Sequence, residues 1–107
     1  MIKDINAKDL KDWINSTNSE LPFILDVRND DELEKAKLQN AYHIPMADIA
    51  DRLDEIPKDK PIVCMCHHGM RSARVAHLLM NKGFTNIYNL EGGIHSMASL
   101  DESIPKY

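Results

Sequence analysis

Ile62, Val63, Cys64 and Met65 follow one another with no polar residue between them, and Cys66-His67-His68-Gly69-Met70-Arg71 comes directly after. An apolar run of strand length, with no alternation of inside and outside residues, belongs to a strand covered on both faces, as in parallel sheets flanked by helices. The next six residues contain a glycine and an arginine. They feed a helix expected over residues 72–82, with Arg74, His77 and Asn81 on its wet stripe and Gly83 as its stop. A buried strand, a tight turn and a helix in that order point to an α/β fold built on a parallel sheet.

The rest of the chain repeats the rhythm. A short strand over 2–5 precedes Asn6, which with Asp9 reads as a helix cap, and Leu10, Trp13 and Ile14 form an apolar stripe that ends near Ser16. After Pro22, residues 23–27 make a second strand, and Asp30 is the expected cap of a weak acidic helix holding Leu33 and Ala36. Residues 41–44 are a third strand stopped by Pro45. Met46, Ile49, Ala50 and Leu53 then have the one-face spacing of an α-helix that Pro57 ends. Residues 87–90 supply a fifth strand, and Gly92-Gly93 opens a last helix with Ile94, Met97 and Ala98 inward.

A length of 107 residues, 43% of them hydrophobic, suits one domain spanning residues 1–107. The net charge of -4 and the lack of any basic run argue against nucleic acid as a partner. No apolar stretch approaches the roughly 20 residues of a spanning helix, so no membrane partner and a cytoplasmic location are expected. Cys64 and Cys66 are separated by one residue, near the upper distance limit for bridging along a strand, and two unbridged thiols suit a reducing compartment.

A cysteine at the end of a buried strand, followed by a glycine-containing turn into a helix, sits where the first helical amides and the positive end of the helix dipole converge. That environment stabilises a thiolate, and Arg71 adds a positive charge, so Cys66 is the expected nucleophile. Gly69 lets the backbone reverse and present amides inward, and Arg71 can pair with an anionic substrate group.

The segment Cys66-His67-His68-Gly69-Met70-Arg71-Ser72 resembles the active-site loop of the rhodanese domain family. Ile24-Leu25-Asp26-Val27-Arg28, with Glu32 after it, is similar to that family's Asp-Val-Arg motif, and Leu90-Glu91-Gly92-Gly93-Ile94 resembles its Gly-Gly turn. The resemblance covers essentially the whole chain. It implies a five-stranded parallel sheet in the order 1-5-4-2-3 with helices on both faces, and a crevice between strands 4 and 2 that Cys66 and Asp26 both face. It further implies a sulfurtransferase of the thiosulfate sulfurtransferase type, with Cys66 catalytic, His67, His68, Gly69, Met70 and Arg71 binding substrate, and Asp26, Arg28 and Ser72 supporting the loop. The implied partners are a small sulfur donor and a thiol or cyanide acceptor, with a protein donor or acceptor as a further option. No cofactor is implied beyond a cysteine persulfide. The chain departs from the family at Ala36-Lys37-Leu38-Gln39-Asn40-Ala41, where Asn40 is expected to take the left-handed conformation of a missing glycine, and at Met97, which stands where a tryptophan is usual.

Plainer roles compete with each of these. Cys64, inside a strand, reads as core. Cys64, Cys66, His67 and His68 do not converge easily on one tetrahedral ion, so no metal is expected there. His67 and His68 line the pocket mouth, whereas His43, His77 and His95 read as structural or surface residues. Asp26 caps or braces backbone, Arg28 pairs with Glu32 or another acid, and Asp48, Asp51, Asp54 and Glu55 form a solvated face. A phosphatase or arsenate reductase is the competing enzyme class, but those loops place five residues between cysteine and arginine where this one has four. A sulfur carrier that only exchanges persulfides with partners is the competing non-enzyme class.

Overall fold

The structure is a computed structural model that describes residues 1–17 and 19–107. Five strands, β1 (Lys3–Ile5), β2 (Phe23–Asp26), β3 (Ala41–His43), β4 (Ile62–Met65) and β5 (Ile87–Leu90), form one parallel sheet in the order β1-β5-β4-β2-β3. Among the described residues four α-helices accompany them: α1 (Ala7–Ile14), α2 (Asp30–Leu33), α3 (Met70–Asn81) and α4 (Gly93–Leu100). No helix among the described residues is long and apolar enough to cross a membrane.

β4 lies at the centre and is buried at every position. Its side chains divide between two cores, as the period of two in a strand requires. Ile62 and Cys64 pack with Val75, Ala76 and Leu79 of α3, while Val63 and Met65 pack with Leu10 of α1 and Ile94 and Met97 of α4. Both faces of the sheet are therefore closed, which explains why β4 carries no polar residue. Met97, in place of the larger aromatic, is buried in the second core.

Local differences from the sequence expectations have simple causes. The stretch after Pro45 forms two 3₁₀ segments, Met46–Asp51 and Leu53–Glu55, instead of one α-helix. With three residues per turn, Met46 and Ile49 share the inner face and Ala50 turns outward. Asn29, not Asp30, precedes α2, and the Glu32 carboxylate accepts its amide at 3.1 Å. α3 starts two residues earlier than expected, inside the six-residue turn. Asn40 does not adopt a left-handed conformation, since every described residue with positive φ is glycine. Ala41 instead donates its amide to the Leu38 carbonyl at 3.3 Å, closing a turn that needs no positive φ. Within the acidic cluster, Asp48, Asp51 and Asp54 are exposed, but Glu55 binds Arg52 through two hydrogen bonds of 2.7 and 2.8 Å.

Candidate active site

β4 and β2 end side by side where the order of strand connections reverses, the position at which open α/β sheets bind ligands. Cys66 leaves β4 there with only 1% of its surface exposed. The loop curls around its sulfur: Sγ accepts the amide of Gly69 at 3.1 Å and that of Ser72 at 3.4 Å, and the Ser72 hydroxyl lies 3.4 Å away. Burial pushes the thiol pKa up, but the Ser72 hydroxyl and the amides of Ser72, Gly69 and His68 outweigh it, and the net shift is below the ordinary thiol value of 9.0. Cys64, two residues back, has burial without donors and is pushed up to about 12. Both thiols are free, and of the two only Cys66 is shifted toward the thiolate.

Two glycines make this curl possible. Gly69 has φ of 110° and caps α3, so the amide it aims at Sγ comes from a left-handed backbone that a side chain would strain. Gly93 starts α4 with φ of 59°, and a Cβ there would lie 2.3 Å from the Cys66 carbonyl oxygen and 2.4 Å from that of His67. The contact holds the loop in place. Ile94 and His95, at the start of α4, donate their amides to the Cys66 and His67 carbonyls at 2.9 and 3.1 Å. From below, Asn89 of β5 donates to the Gly69 carbonyl at 3.1 Å and accepts the Ser72 hydroxyl at 2.6 Å. The Ser72 hydroxyl has one proton within reach of Asn89 at 2.6 Å, the Gly69 carbonyl at 3.2 Å and Sγ at 3.4 Å, and a charged Sγ competes for it better than a neutral one.

Arg71 is paired with an acid. Its guanidinium meets Glu32 through two hydrogen bonds of 2.6 and 2.9 Å, which hold the Glu32 carboxyl down at about 2 against the cost of its burial. Arg28, fully buried, takes the other acid: it grips Asp26 in a bidentate pair with contacts of 2.9 and 2.7 Å. Asp26 therefore supports the loop at one remove. Its partner Arg28 donates to the Glu32 backbone carbonyl at 3.3 Å and to the Tyr107 hydroxyl at 2.9 Å, and Tyr107 in turn donates to Glu32 at 2.8 Å. The two carboxylates and two guanidiniums thus form, with Tyr107, one chain of contacts from the end of β2 to the Cys66 loop.

The remaining loop residues face outward. Met70 is 75% exposed and His68 is exposed, while His67 lies between the Tyr107 ring, stacked at 3.8 Å and 5°, and the His68 ring at 4.0 Å. Burial lowers the His67 pKa, the Tyr107 carbonyl opposes this, and the neighbouring His68 and His95 rings push it down further. His43 donates Nε2–H to the Arg28 carbonyl at 2.6 Å and His77 is exposed, the structural and surface roles expected of them. His95 is exposed, also as expected, and the start of α4 carries its ring to the loop, 4.9 Å from the His68 ring centre.

Sequence reading missed Asn89, Tyr107 and the partnership of Glu32 with Arg71. Asn89 had a signal, a polar side chain within the apolar strand Ile87-Tyr88-Asn89-Leu90. Tyr107 lies 41 residues beyond Cys66 in an irregular segment with no periodicity to mark it.

The profile of the rhodanese-like domain matches residues 6–100. YtwF of Bacillus subtilis is 39% identical over 105 residues, covering 98% of this chain and 97% of that protein. The thiosulfate sulfurtransferase GlpE of Coxiella burnetii is 37% identical over 73 residues, 68% of each chain. The crystal structure of a rhodanese-like domain protein from Staphylococcus aureus superposes with a TM-score of 0.84 at 33% identity, over 98% of both chains.

Proposed function

We propose that this chain, which belongs to the rhodanese-like domain family and is a sulfurtransferase, carries sulfur as a persulfide on Cys66. The observation behind this is the ring of donors around Sγ, from the Gly69 and Ser72 amides and the Ser72 hydroxyl. Such a ring favours a sulfur anion and serves the outer sulfur of a persulfide equally well.

In the first half-reaction the Cys66 thiolate attacks the sulfane sulfur of a donor such as thiosulfate. The Sγ–S bond forms, the sulfur–sulfur bond of the donor breaks, and sulfite leaves with the electron pair. In the second, cyanide or a thiolate attacks the outer sulfur of the persulfide and the Cys66 thiolate leaves, giving thiocyanate or a new persulfide. No cofactor or metal enters either step. Thiocyanate formation from thiosulfate and cyanide should follow ping-pong kinetics and vanish in Cys66→Ser; intersecting double-reciprocal lines or persistent activity would oppose this reading.

A second reading concerns the donor. Each guanidinium beside the loop is matched by a carboxylate, Arg71 by Glu32 and Arg28 by Asp26. No uncompensated cation among these residues awaits a dianion, so thiosulfate should be a weak donor. A persulfide from a small thiol or a protein, with less charge, suits the site better. The four residues between Cys66 and Arg71 also favour sulfur over a tetrahedral phosphate group, which a longer ring of amides would hold. The unbridged thiols and the need for a thiolate fit a reducing compartment such as the cytoplasm.

A further inference from the structure

His67 and His68 stand side by side in the loop, and His95 is the third residue of α4. The backbone that carries them is tied together by the His95 amide on the His67 carbonyl at 3.1 Å and the Ile94 amide on the Cys66 carbonyl at 2.9 Å. One ring nitrogen from each of the three lies within 4.8 Å of the other two. The backbone carbonyl of Tyr107 accepts from His67 Nε2 at 2.6 Å. A carbonyl only accepts, so the ring proton sits on Nε2 and Nδ1 keeps a bare lone pair. Metal-binding histidines are oriented in this way, by an acceptor on the far nitrogen. Stacking of the Tyr107 ring on His67 fixes the same ring a second time. The His68 and His95 rings have no hydrogen-bond partner on their nitrogens among the described residues, and both side chains are exposed.

We propose that His67, His68 and His95 form a binding site for one divalent metal ion of the zinc type, set on the outer face of the catalytic loop. Three imidazoles select borderline cations such as Zn²⁺, Ni²⁺ or Cu²⁺ over Mg²⁺ and Ca²⁺, which take oxygen ligands. Zinc–nitrogen bonds of about 2.0–2.1 Å in a tetrahedral site put ligand nitrogens roughly 3.3 Å apart. Rotation of the two exposed rings supplies the approach from 4.8 Å. The sequence sets Cys64 and Cys66 beside the two adjacent histidines, a combination that does not converge easily on one tetrahedral ion, and no metal is expected from it. Folding removes both: Cys64 packs beneath α3, and Cys66 turns its sulfur into the loop amides. It supplies His95 in their place. Three protein ligands leave a fourth position open for water or a substrate sulfur, and an ion there would clamp the loop to α4.

The test is titration of chelator-treated protein with Co²⁺, followed through its visible absorption, with Zn²⁺ as competitor. One Co²⁺ per chain should bind, displaceable by Zn²⁺, with no thiolate-to-cobalt band in the near ultraviolet and the same spectrum in Cys66→Ser. The double variant His68→Asn/His95→Asn, altered only at exposed positions, should lose affinity at least about tenfold with its circular dichroism intact. Should that variant fail to fold, His95→Gln alone should show a weaker loss in the same direction. Absence of binding to the wild type, full binding by the His variants, or a thiolate band that disappears in Cys66→Ser would each overturn the proposal. None of these readouts depends on sulfur transfer, so a failure here is distinct from a failure of the persulfide reading.

Discussion

Arg71, the cation of the loop around Cys66, is held by Glu32 of α2 through two parallel hydrogen bonds of 2.6 and 2.9 Å, 39 residues away in the chain. The pair gives the loop rigidity and removes the charge that an anionic donor would seek. Glu32→Gln should therefore raise kcat/KM for thiosulfate by roughly threefold to tenfold, in a salt-sensitive way, while leaving a neutral donor nearly unaffected. Steady-state kinetics at two ionic strengths would decide it; no gain with thiosulfate would mean that Arg71 stays unavailable for another reason.

The same carboxylate sets an acid limit. Its pKa falls from 4.5 to about 2 on folding, so its contribution is complete above pH 4.5 and is lost as pH drops through about 2. Urea midpoints measured across this window should fall for the wild type and fall less for Glu32→Gln.

Arg28 and Asp26 are buried almost completely and satisfy each other. Arg28→Met strands the Asp26 carboxylate in the interior and should cost about 3–5 kcal/mol in chemical denaturation, well above a surface pair. A loss under about 1 kcal/mol would show that Asp26 finds other partners.

Gly93 touches the loop through bare backbone. A methyl group there would meet the Cys66 and His67 carbonyls at 2.3 and 2.4 Å, so Gly93→Ala should push the loop away from α4. Sulfur transfer should fall by at least about tenfold even where the variant remains folded, since a displacement near 1 Å at a catalytic group costs that much or more. Unchanged activity would mean that the amides of Ile94 and His95 do not position the loop.

Much of this architecture is legible in the sequence because it follows from short-range physics. Ile62 to Met65 reveal a strand buried on both faces, and Cys66 to Ser72 reveal a strand-to-helix turn, since both depend on neighbours in the chain. What is hidden depends on the packing of distant segments. Glu32 closes a capping box on Asn29 in the folded chain and also serves Arg71; Tyr107 reaches Arg28, Glu32 and His67 only once the chain has folded back; His95 meets His67 only because Gly93 lets α4 start against the loop. The 3₁₀ segments after Pro45 escaped because their apolar residues fit an α-helical spacing as well.

The two cysteines should differ in reactivity by pH. Cys66 lies below 9.0 and Cys64 is pushed up to about 12, so iodoacetamide at pH 8 should label Cys66 alone. The rate should climb with pH until the Cys66 thiol has ionised and then level off. Ser72→Ala removes a donor to Sγ and should move that rise to higher pH. A rise unmoved by the substitution would assign the shift to the amides alone.

The central claim is that Cys66 carries the sulfur. Intact-mass spectrometry after brief exposure to excess thiosulfate or a small-molecule persulfide, under non-reducing conditions, reads it directly. Wild type and Cys64→Ser should gain the mass of one sulfur atom and lose it on addition of cyanide, and Cys66→Ser should gain nothing. An added sulfur that persists in Cys66→Ser, or a wild-type protein that takes up none from either donor, would contradict it.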